Sequence, residues 1–258
     1  MPSKFLSNKV LRNLLSGASD EEKLYLTQLL DKNQKIPYSH EKLQEEICKC
    51  GGHGISNFIR GQGTGYLDII DDIAKELKIE ELIPPYYSAN EEELSISHFD
   101  DILLLKTTKE DGIRRGVEYA EKVEEEIIIK LLEVSYEKMS PEEKVVFDKK
   151  INEVAQRFGS DPSKKLIGTA GLMVLGNLGG FATYTFLTTA MSAISMGTLS
   201  FGVYTSATSA LSLFLGPVGW AGLGVATLYT LGKPKYQKLI PIVATIGSIR
   251  QRIKYEQL

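Results

Sequence analysis

Arg114 to Met139 reads RRGVEYAEKVEEEIIIKLLEVSYEKM. Val117, Ala120, Val123, Ile127, Leu131 and Val134 recur every three or four residues, while Glu121, Glu124, Glu125, Lys130 and Glu133 fall on the other side. That spacing predicts one long amphipathic helix. The stretch decides the fold class because its neighbours read the same way. Directly after it, Ser140 is placed as an N-cap, Pro141 as the first helical residue and Glu143 as the partner that closes a capping box, with Phe147, Ile151, Val154 and Phe158 as the buried face that follows. Upstream, Ser19 and Glu22 make a capping box ahead of Leu24, Leu26, Leu29 and Leu30, predicting a helix from Asp20 to Lys32. Thr64 and Gly65 precede Tyr66, Leu67, Ile70, Ile73, Ala74 and Leu77, predicting a helix that ends near Lys78 before Pro84 and Pro85 break the chain. Period-two alternation is convincing nowhere, and only Leu94 to Leu105 leaves room for a short strand. The expected class is all-α: a charged multi-helix N-terminal part, then a glycine-rich uncharged helical hairpin or bundle on the C-terminal side.

Charge is distributed in three blocks. The 258 residues carry 30 basic and 33 acidic groups, yet Leu166 to Gly232 holds none of them over 67 consecutive positions. Residues 233–258 carry six basic groups and one acid, net +5, which leaves 24 basic and 32 acidic groups, net −8, for residues 1–165. A chain of net charge −3 with 43% hydrophobic residues is neither a generally basic nucleic-acid binder nor a wholly disordered polymer. The turn signal Gly159-Ser160-Asp161-Pro162 divides the two chemistries. Residues 1–160 read as an acidic helical regulatory or interaction domain, and residues 161–258 as a glycine-rich hydrophobic helical domain with a basic C-terminal helix. MPSKFLSNKV lacks the apolar core of a signal peptide, so a cytoplasmic protein is expected, peripheral to or inserted in the inner membrane if the uncharged block meets lipid.

Three features of the uncharged block point toward a bilayer, and one points away. It holds 12 of the 23 glycines and 16 Ser or Thr residues, and about 20 residues suffice for one helical crossing. Gly176 with Gly180, Ala193 with Gly197, and Gly222 with Ala226 are small-residue pairs at a spacing of four, which let helices approach closely where lipid supplies no hydrophobic drive. Lys164 and Lys165 at one end and Lys233, Lys235 and Lys238 at the other put both ends on one side, so a hairpin with its turn near Ser195 to Gly202, or a shorter pair broken at Gly216 and Pro217, is the simplest membrane form. The single tryptophan, Trp220, follows that break. Against permanent insertion, the nine Leu, Ile, Val or Phe residues of Leu166 to Ala190 contribute about −3 to −5 kcal/mol, and five glycines, five threonines and Asn177 oppose them. Conditional insertion and a buried glycine-rich core both follow from these residues. In the tail, Tyr236, Ile240, Val243, Ala244, Gly247 and Ile253 lie near one face, and its cations suit either an anionic lipid surface or the acidic first part of the chain.

Gly51 to Ile79 and Gly216 to Gln251 resemble the matching segments of the bacterial YaaW-like family, carried by Asn57, Arg60, Gly61, Tyr66, Gly216, Pro217, Gly219, Trp220, Tyr236, Pro241 and Arg250. The resemblance extends to residues 1–35. It implies an all-helical fold with relatives among the ubiquinol-cytochrome c chaperone type of domain, a non-enzymatic assembly factor, and it carries over no catalytic residue.

Motifs for chemistry are sparse. Arg60, Gly61, Gly63 and Gly65, with Thr64, suggest either an anion cradle at a helix start or a glycine-bent junction, without the strand of a dinucleotide fingerprint or a Gly-Lys-Ser/Thr triplet. Cys48, Cys50 and His53 have a metal-like spacing, but on a helix the two thiols point about 200° apart. Asp68, Asp71, Asp72 and Glu76 read as a solvated face. No catalytic residue, cofactor or metal is expected. The first functional expectation is a non-enzymatic, membrane-active protein whose residues 166–232 insert conditionally, as a stress or defence effector. The alternative is a soluble interaction module or assembly chaperone that buries the segment permanently. The expected partner is accordingly lipid or another protein, with no nucleic acid, and oligomers are compatible with both.

Overall fold

The computed structural model describes residues 6–51, 64–79, 109–161, 163, 165–178, 182, 183, 185, 186 and 234–256. Among the described residues there are eight helices and no strand, the all-α class that the apolar spacing predicts. They are α1 (Leu6–Ser16), α2 (Asp20–Leu30), α3 (His40–Gly51), α4 (Tyr66–Glu76), α5 (Lys109–Lys138), α6 (Pro141–Arg157), α7 (Gly168–Asn177) and α8 (Pro234–Glu256). The chain gathers into two compact units, Met1–Glu124 with Pro234–Arg250, and Glu125–Lys233 with Gln251–Leu258. The compositional boundary near residue 160 marks a change of chemistry along the chain, and residues on both sides of it belong to the second unit.

In the first unit, α2 begins on the expected capping box. The Glu22 N–H donates to Ser19 Oγ at 3.2 Å and the Ser19 N–H donates to Glu22 Oε2 at 2.7 Å, so an acid that is almost fully buried has its charge satisfied by the backbone. The helix ends at Leu30, whose carbonyl accepts from the Lys238 ammonium of α8 at 2.7 Å, a cation placed at the negative end of the dipole. α1, α3 and α4 bury Leu11, Leu15, Leu43, Ile47, Leu67 and Ile70 completely. The α3–α4 approach depends on Gly51, because a methyl group there would collide with the Ile69 side chain. α4 closes on Lys78, held at φ 55 while the Ile79 N–H reaches the Ala74 carbonyl at 3.0 Å.

Two helices differ from their sequence reading. The spacing of the tail predicts a single apolar face, yet α8 is buried all round from Leu239 to Gln251. Its inner polar groups turn back on the helix, Thr245 Oγ1 donating to the Pro241 carbonyl at 2.8 Å and Ser248 Oγ to the Ala244 carbonyl at 3.1 Å, so they need no water. The second difference concerns α5, which starts at Lys109 and has a rotated and wider stripe. Ile127, Ile128, Ile129 and Leu132 are buried, whereas Val117, Leu131 and Val134 are half-buried. Glu124, read as part of the solvated face, is only 1% exposed, because an arginine from α8 meets it there.

In the second unit, Phe147, Ile151, Val154 and Ala155 of α6 are completely buried, and Phe158 lies half-buried in the turn that ends the helix. Gly159, at φ 91, lets the Ser160 N–H reach the Ala155 carbonyl at 2.9 Å. The Glu143 side chain, expected to close a capping box, lies outside the described residues.

Candidate functional site

The uncharged block begins at Leu166, and the chain is gripped there through its backbone. Asn152 of α6 forms a two-way amide pair with Leu166: its Oδ1 accepts from the Leu166 N–H at 2.9 Å and its Nδ2 donates to the Leu166 carbonyl at 2.7 Å. Nδ2 also donates to the Asp148 carbonyl at 2.7 Å, which fixes the orientation of the amide. One turn earlier on α6, Asp148 Oδ1 accepts the Gly168 N–H at 2.8 Å, and its Oδ2 accepts from Tyr136 Oη at 3.2 Å. Gly168 sits at φ 56 with the Tyr136 ring against it, so a Cβ would lie 3.1 Å from Tyr136 Cε1. Both the left-handed backbone and the crowding favour glycine. Burial raises the Tyr136 hydroxyl above its ordinary range, and the charge of Asp148 and the hydrogen bond to it add to the effect. The Lys144 ammonium lies 5.3 Å from the centre of the same ring.

Beyond this grip, α7 lies on the charged helices by its small residues. A Cβ on Gly171 would be 2.9 Å from Ile151 Cγ2, and one on Gly176 would be 2.9 Å from Ile129 Cδ1. Leu172 and Leu175 are completely buried on that side, while Ile167 and Met173 are 52% and 64% exposed on the other. Further along, Ala182 and Phe186 are completely buried, Phe186 meets Phe147 edge-on at 4.8 Å between ring centres, and Thr183 Oγ1 donates to Glu125 at 3.2 Å. The described part of the uncharged block is therefore packed on charged amphipathic helices of its own unit. α7 has ten residues and a length of about 15 Å, half the ~30 Å of a bilayer's hydrocarbon. Among the described residues no helix is long and apolar enough to cross a membrane.

Of the residues proposed for insertion or helix packing, only Gly176 is described, and it sets its bare Cα against Ile129. Gly180, Ala193, Gly197, Gly216, Pro217, Trp220, Gly222 and Ala226 lie outside the described residues. Of the candidate anion cradle, Arg60, Gly61 and Gly63 lie outside as well, and Gly65 stands at the start of α4. The Leu67 N–H of that helix start donates to Ser7 Oγ at 2.9 Å, and a Cβ on Gly65 would lie 2.7 Å from the same oxygen. Thus α1 itself supplies an acceptor to the first turn of α4.

The cysteines diverge as the helix geometry requires. Cys48 is completely buried and its Sγ donates to Asn8 Oδ1 at 3.2 Å. Gln44 Nε2 donates to the same sulfur at 3.5 Å, with the Arg12 guanidinium donating to Gln44 Oε1 at 2.7 Å. Burial raises the Cys50 thiol, and the Lys238 ammonium opposes that rise. His53 lies outside the described residues. Among the described residues no group of three His, Cys, Asp or Glu side chains is placed to hold a metal ion.

One cluster is absent from the sequence reading. Arg250 of α8 donates from Nε to Glu124 Oε2 at 2.8 Å and from Nη2 to Glu124 Oε1 at 2.9 Å, and Tyr66 Oη donates to Oε1 at 2.6 Å. The side chains of Arg250 and Glu124 are 6% and 1% exposed. Tyr66 and Arg250 both stand among the residues that carry the family resemblance, so the sequence marks two of the three members. The third is hidden in the run EKVEEE, where charge alone does not distinguish one glutamate from its neighbours.

These features define an all-helical protein whose charged helices hold the described start of an uncharged run by backbone hydrogen bonds and glycines. In sequence it is similar to bacterial proteins described as UPF0174 proteins, which are uncharacterised. Two are from Helicobacter pylori strain J99: one is 24% identical over 217 residues, covering 81% of this chain and 70% of the relative, the other 24% identical over 226 residues, covering 83% and 89%. A third, from Helicobacter pylori strain 26695, is 24% identical over 224 residues, covering 83% and 88%. No protein-family model matches the chain, and no solved structure does.

Proposed function

We propose a non-enzymatic helical protein that holds an uncharged segment against charged helices and releases it conditionally to a bilayer, as a stress or defence effector. The observation that carries this reading is the docking of Leu166, α7, Thr183 and Phe186 on α5 and α6 at the head of a run of 67 residues without a formal charge. Docked, Leu172, Leu175, Ala182 and Phe186 at the head of the run are shielded; its marginal insertion free energy, about −3 to −5 kcal/mol for the first 25 residues before glycine and threonine are counted, suits a segment that enters lipid only when driven. Such a protein would be cytoplasmic and, on release, associated with the inner membrane. A second reading, a soluble interaction module or assembly chaperone, draws on the same packing, since Leu172, Leu175, Ala182 and Phe186 are completely buried without lipid. The resemblance to the YaaW-like family and its chaperone-type relatives belongs to this proposal. Similarity to uncharacterised bacterial proteins supports it as far as the kind of family.

Trp220 tests the two against each other. Anionic vesicles carrying a lipid-borne quencher are added to the folded protein across pH 4 to 8. Mild acid neutralises carboxylates of a segment that is −8 overall, so approach to the anionic surface strengthens as pH falls. Quenching that grows toward pH 4 supports release to lipid. Fluorescence unchanged across the range, with the protein folded, rejects it in favour of the interaction module.

A further inference from the structure

We infer that Asn152, Asp148 and Tyr136 form a latch on the backbone at Leu166 to Gly168, whose opening lets α7 leave α6 without unfolding α6. The inference deepens the proposed function by locating its control point, and it rests on that reading only for what the opened segment does next.

Two observations set this contact apart from ordinary packing. The grip is concentrated at one end of α7. Leu166 and Gly168 are held by three hydrogen bonds of 2.7 to 2.9 Å from two α6 side chains one helical turn apart. Along the rest of α7, the contacts with α5 and α6 at Gly171 and Gly176 are matters of shape. The partners are also backbone groups, and no helix ladder replaces them: the Leu166 N–H and carbonyl and the Gly168 N–H precede or open the helix. When Asn152 and Asp148 let go, these groups find water, since Ile167 beside them is already 52% exposed. Opening the latch itself exchanges a few part-buried hydrogen bonds for hydrated ones, and the departure of α7 then exposes Leu172 and Leu175, still a smaller cost than unfolding α6 with Phe147, Ile151, Val154 and Ala155 completely buried. Tyr136 holds the latch closed at second hand, orienting Asp148 through Oδ2 and lying over Gly168.

Native-state hydrogen exchange on the full chain tests this directly. Asn152→Ala removes both halves of the amide pair, so peptides covering 166–177 are expected to exchange about tenfold faster or more, while peptides covering 141–157 keep their wild-type protection. Asn152→Asp keeps an acceptor for the Leu166 N–H and loses the donor, and should fall between the two. Asp148→Asn keeps an acceptor for the Gly168 N–H and should remain near wild type, whereas Asp148→Ala should not. Unchanged exchange over 166–177 in folded Asn152→Ala and Asp148→Ala overturns the latch, as does acceleration that spreads equally over α6. Should Asn152→Ala fail to fold, the order Asp148→Asn, Asn152→Asp, Asp148→Ala decides on its own. Binding of the same variants to vesicles of anionic phospholipid separates this inference from the functional reading. Faster exchange with wild-type vesicle binding leaves the latch standing and rejects release to lipid; faster exchange with stronger binding supports both.

Discussion

Arg250 and Glu124 meet across 126 residues of sequence as a buried, bidentate ion pair, whereas Asn152 and Asp148 hold Leu166 and Gly168 across 14 and 20 residues through part-buried hydrogen bonds to backbone. The two places solve the same problem, fixing one helix to another, with opposite chemistry. A buried ion pair is strong only while both partners stay; with one removed, a desolvated charge is left with no compensation. Amide and carboxylate contacts to backbone at a half-open site lose less when broken, because water takes the place of each partner. The first arrangement therefore makes Pro234–Arg250 of α8 a permanent part of the first unit, and the second leaves the junction at Leu166 and Gly168 the easier of the two to open. The acidic first part and the basic tail of the chain thus find each other inside the protein at Glu124 and Arg250, which is one of the two uses that the charge pattern allows.

The comparison breaks most sharply at Arg250. Arg250→Ala leaves the Glu124 carboxylate buried with Tyr66 Oη as its remaining hydrogen-bond partner among the described residues, and the expected loss is about 3–5 kcal/mol of unfolding free energy, measured by urea denaturation. Replacing all three members with apolar groups of similar volume, as in Tyr66→Phe with Glu124→Leu and Arg250→Met, should cost much less than the single change, because no uncompensated charge remains. A loss below about 1 kcal/mol in Arg250→Ala would mean that water reaches Glu124 and that the pair does not fix α8.

Gly171 comes next and has the merit of an ambiguous sign. In an isolated helix Gly→Ala stabilises by about 1 kcal/mol, so propensity alone predicts that Gly171→Ala strengthens α7. The structure predicts the reverse, since the new methyl would lie 2.9 Å and 3.2 Å from carbons of Ile151 and 3.3 Å from Leu166 Cβ. Ile151 is completely buried, and overpacking of this kind costs about 1–3 kcal/mol, enough to cancel or exceed the gain. Loss of protection in α7 by hydrogen exchange, with α6 unaffected, is the expected result. A stabilised α7 would show that the helix does not lie as closely on Ile151.

The helices were legible where a local rule fixes them. Ser19 and Glu22 determine the start of α2 by themselves, and the three- and four-residue spacing from Tyr66 to Leu77 gives α4 with its buried face. What the sequence concealed depends on pairing over distance. Glu124 is chemically the same as Glu121 and Glu125, and only the arrival of Arg250 from the other end of the chain makes it a core residue. Likewise the all-round burial of α8 follows from its surroundings, because a face count on its own sequence sees Thr245, Ser248 and Arg250 as reasons for an exposed side. The latch was invisible for a different reason. Asn152 and Asp148 act on backbone groups, so the partner residues at 166 and 168 carry no side-chain signature of the contact beyond the glycine. The glycine count drew attention to the uncharged block as a stripe of small residues, and the structure uses Gly171 and Gly176 against isoleucines of α6 and α5.

The smallest expected effect belongs to Tyr136 and depends on pH. Its hydroxyl donates to Asp148 at 3.2 Å from a half-buried position, so Tyr136→Phe should cost below about 1 kcal/mol at neutral pH. The folded hydroxyl titrates above the unfolded one, chiefly because burial disfavours the phenolate and secondarily because the Asp148 carboxylate repels it. A group raised in this way contributes stability that is fully present below the unfolded value, about 10 for tyrosine, and is lost as pH rises through the folded value. Wild type should therefore lose stability above about pH 10 relative to Tyr136→Phe, and the difference between the two should shrink toward zero or change sign there. Tyr25, whose hydroxyl is also raised by burial, and Cys50 titrate in both proteins and cancel in the comparison. Parallel denaturation curves from pH 7 to 11 read this difference. A constant gap between the two proteins through pH 11 would mean that the phenolate forms as readily in the folded chain as in the unfolded one, and Asp148 would then hold Gly168 without help from Tyr136.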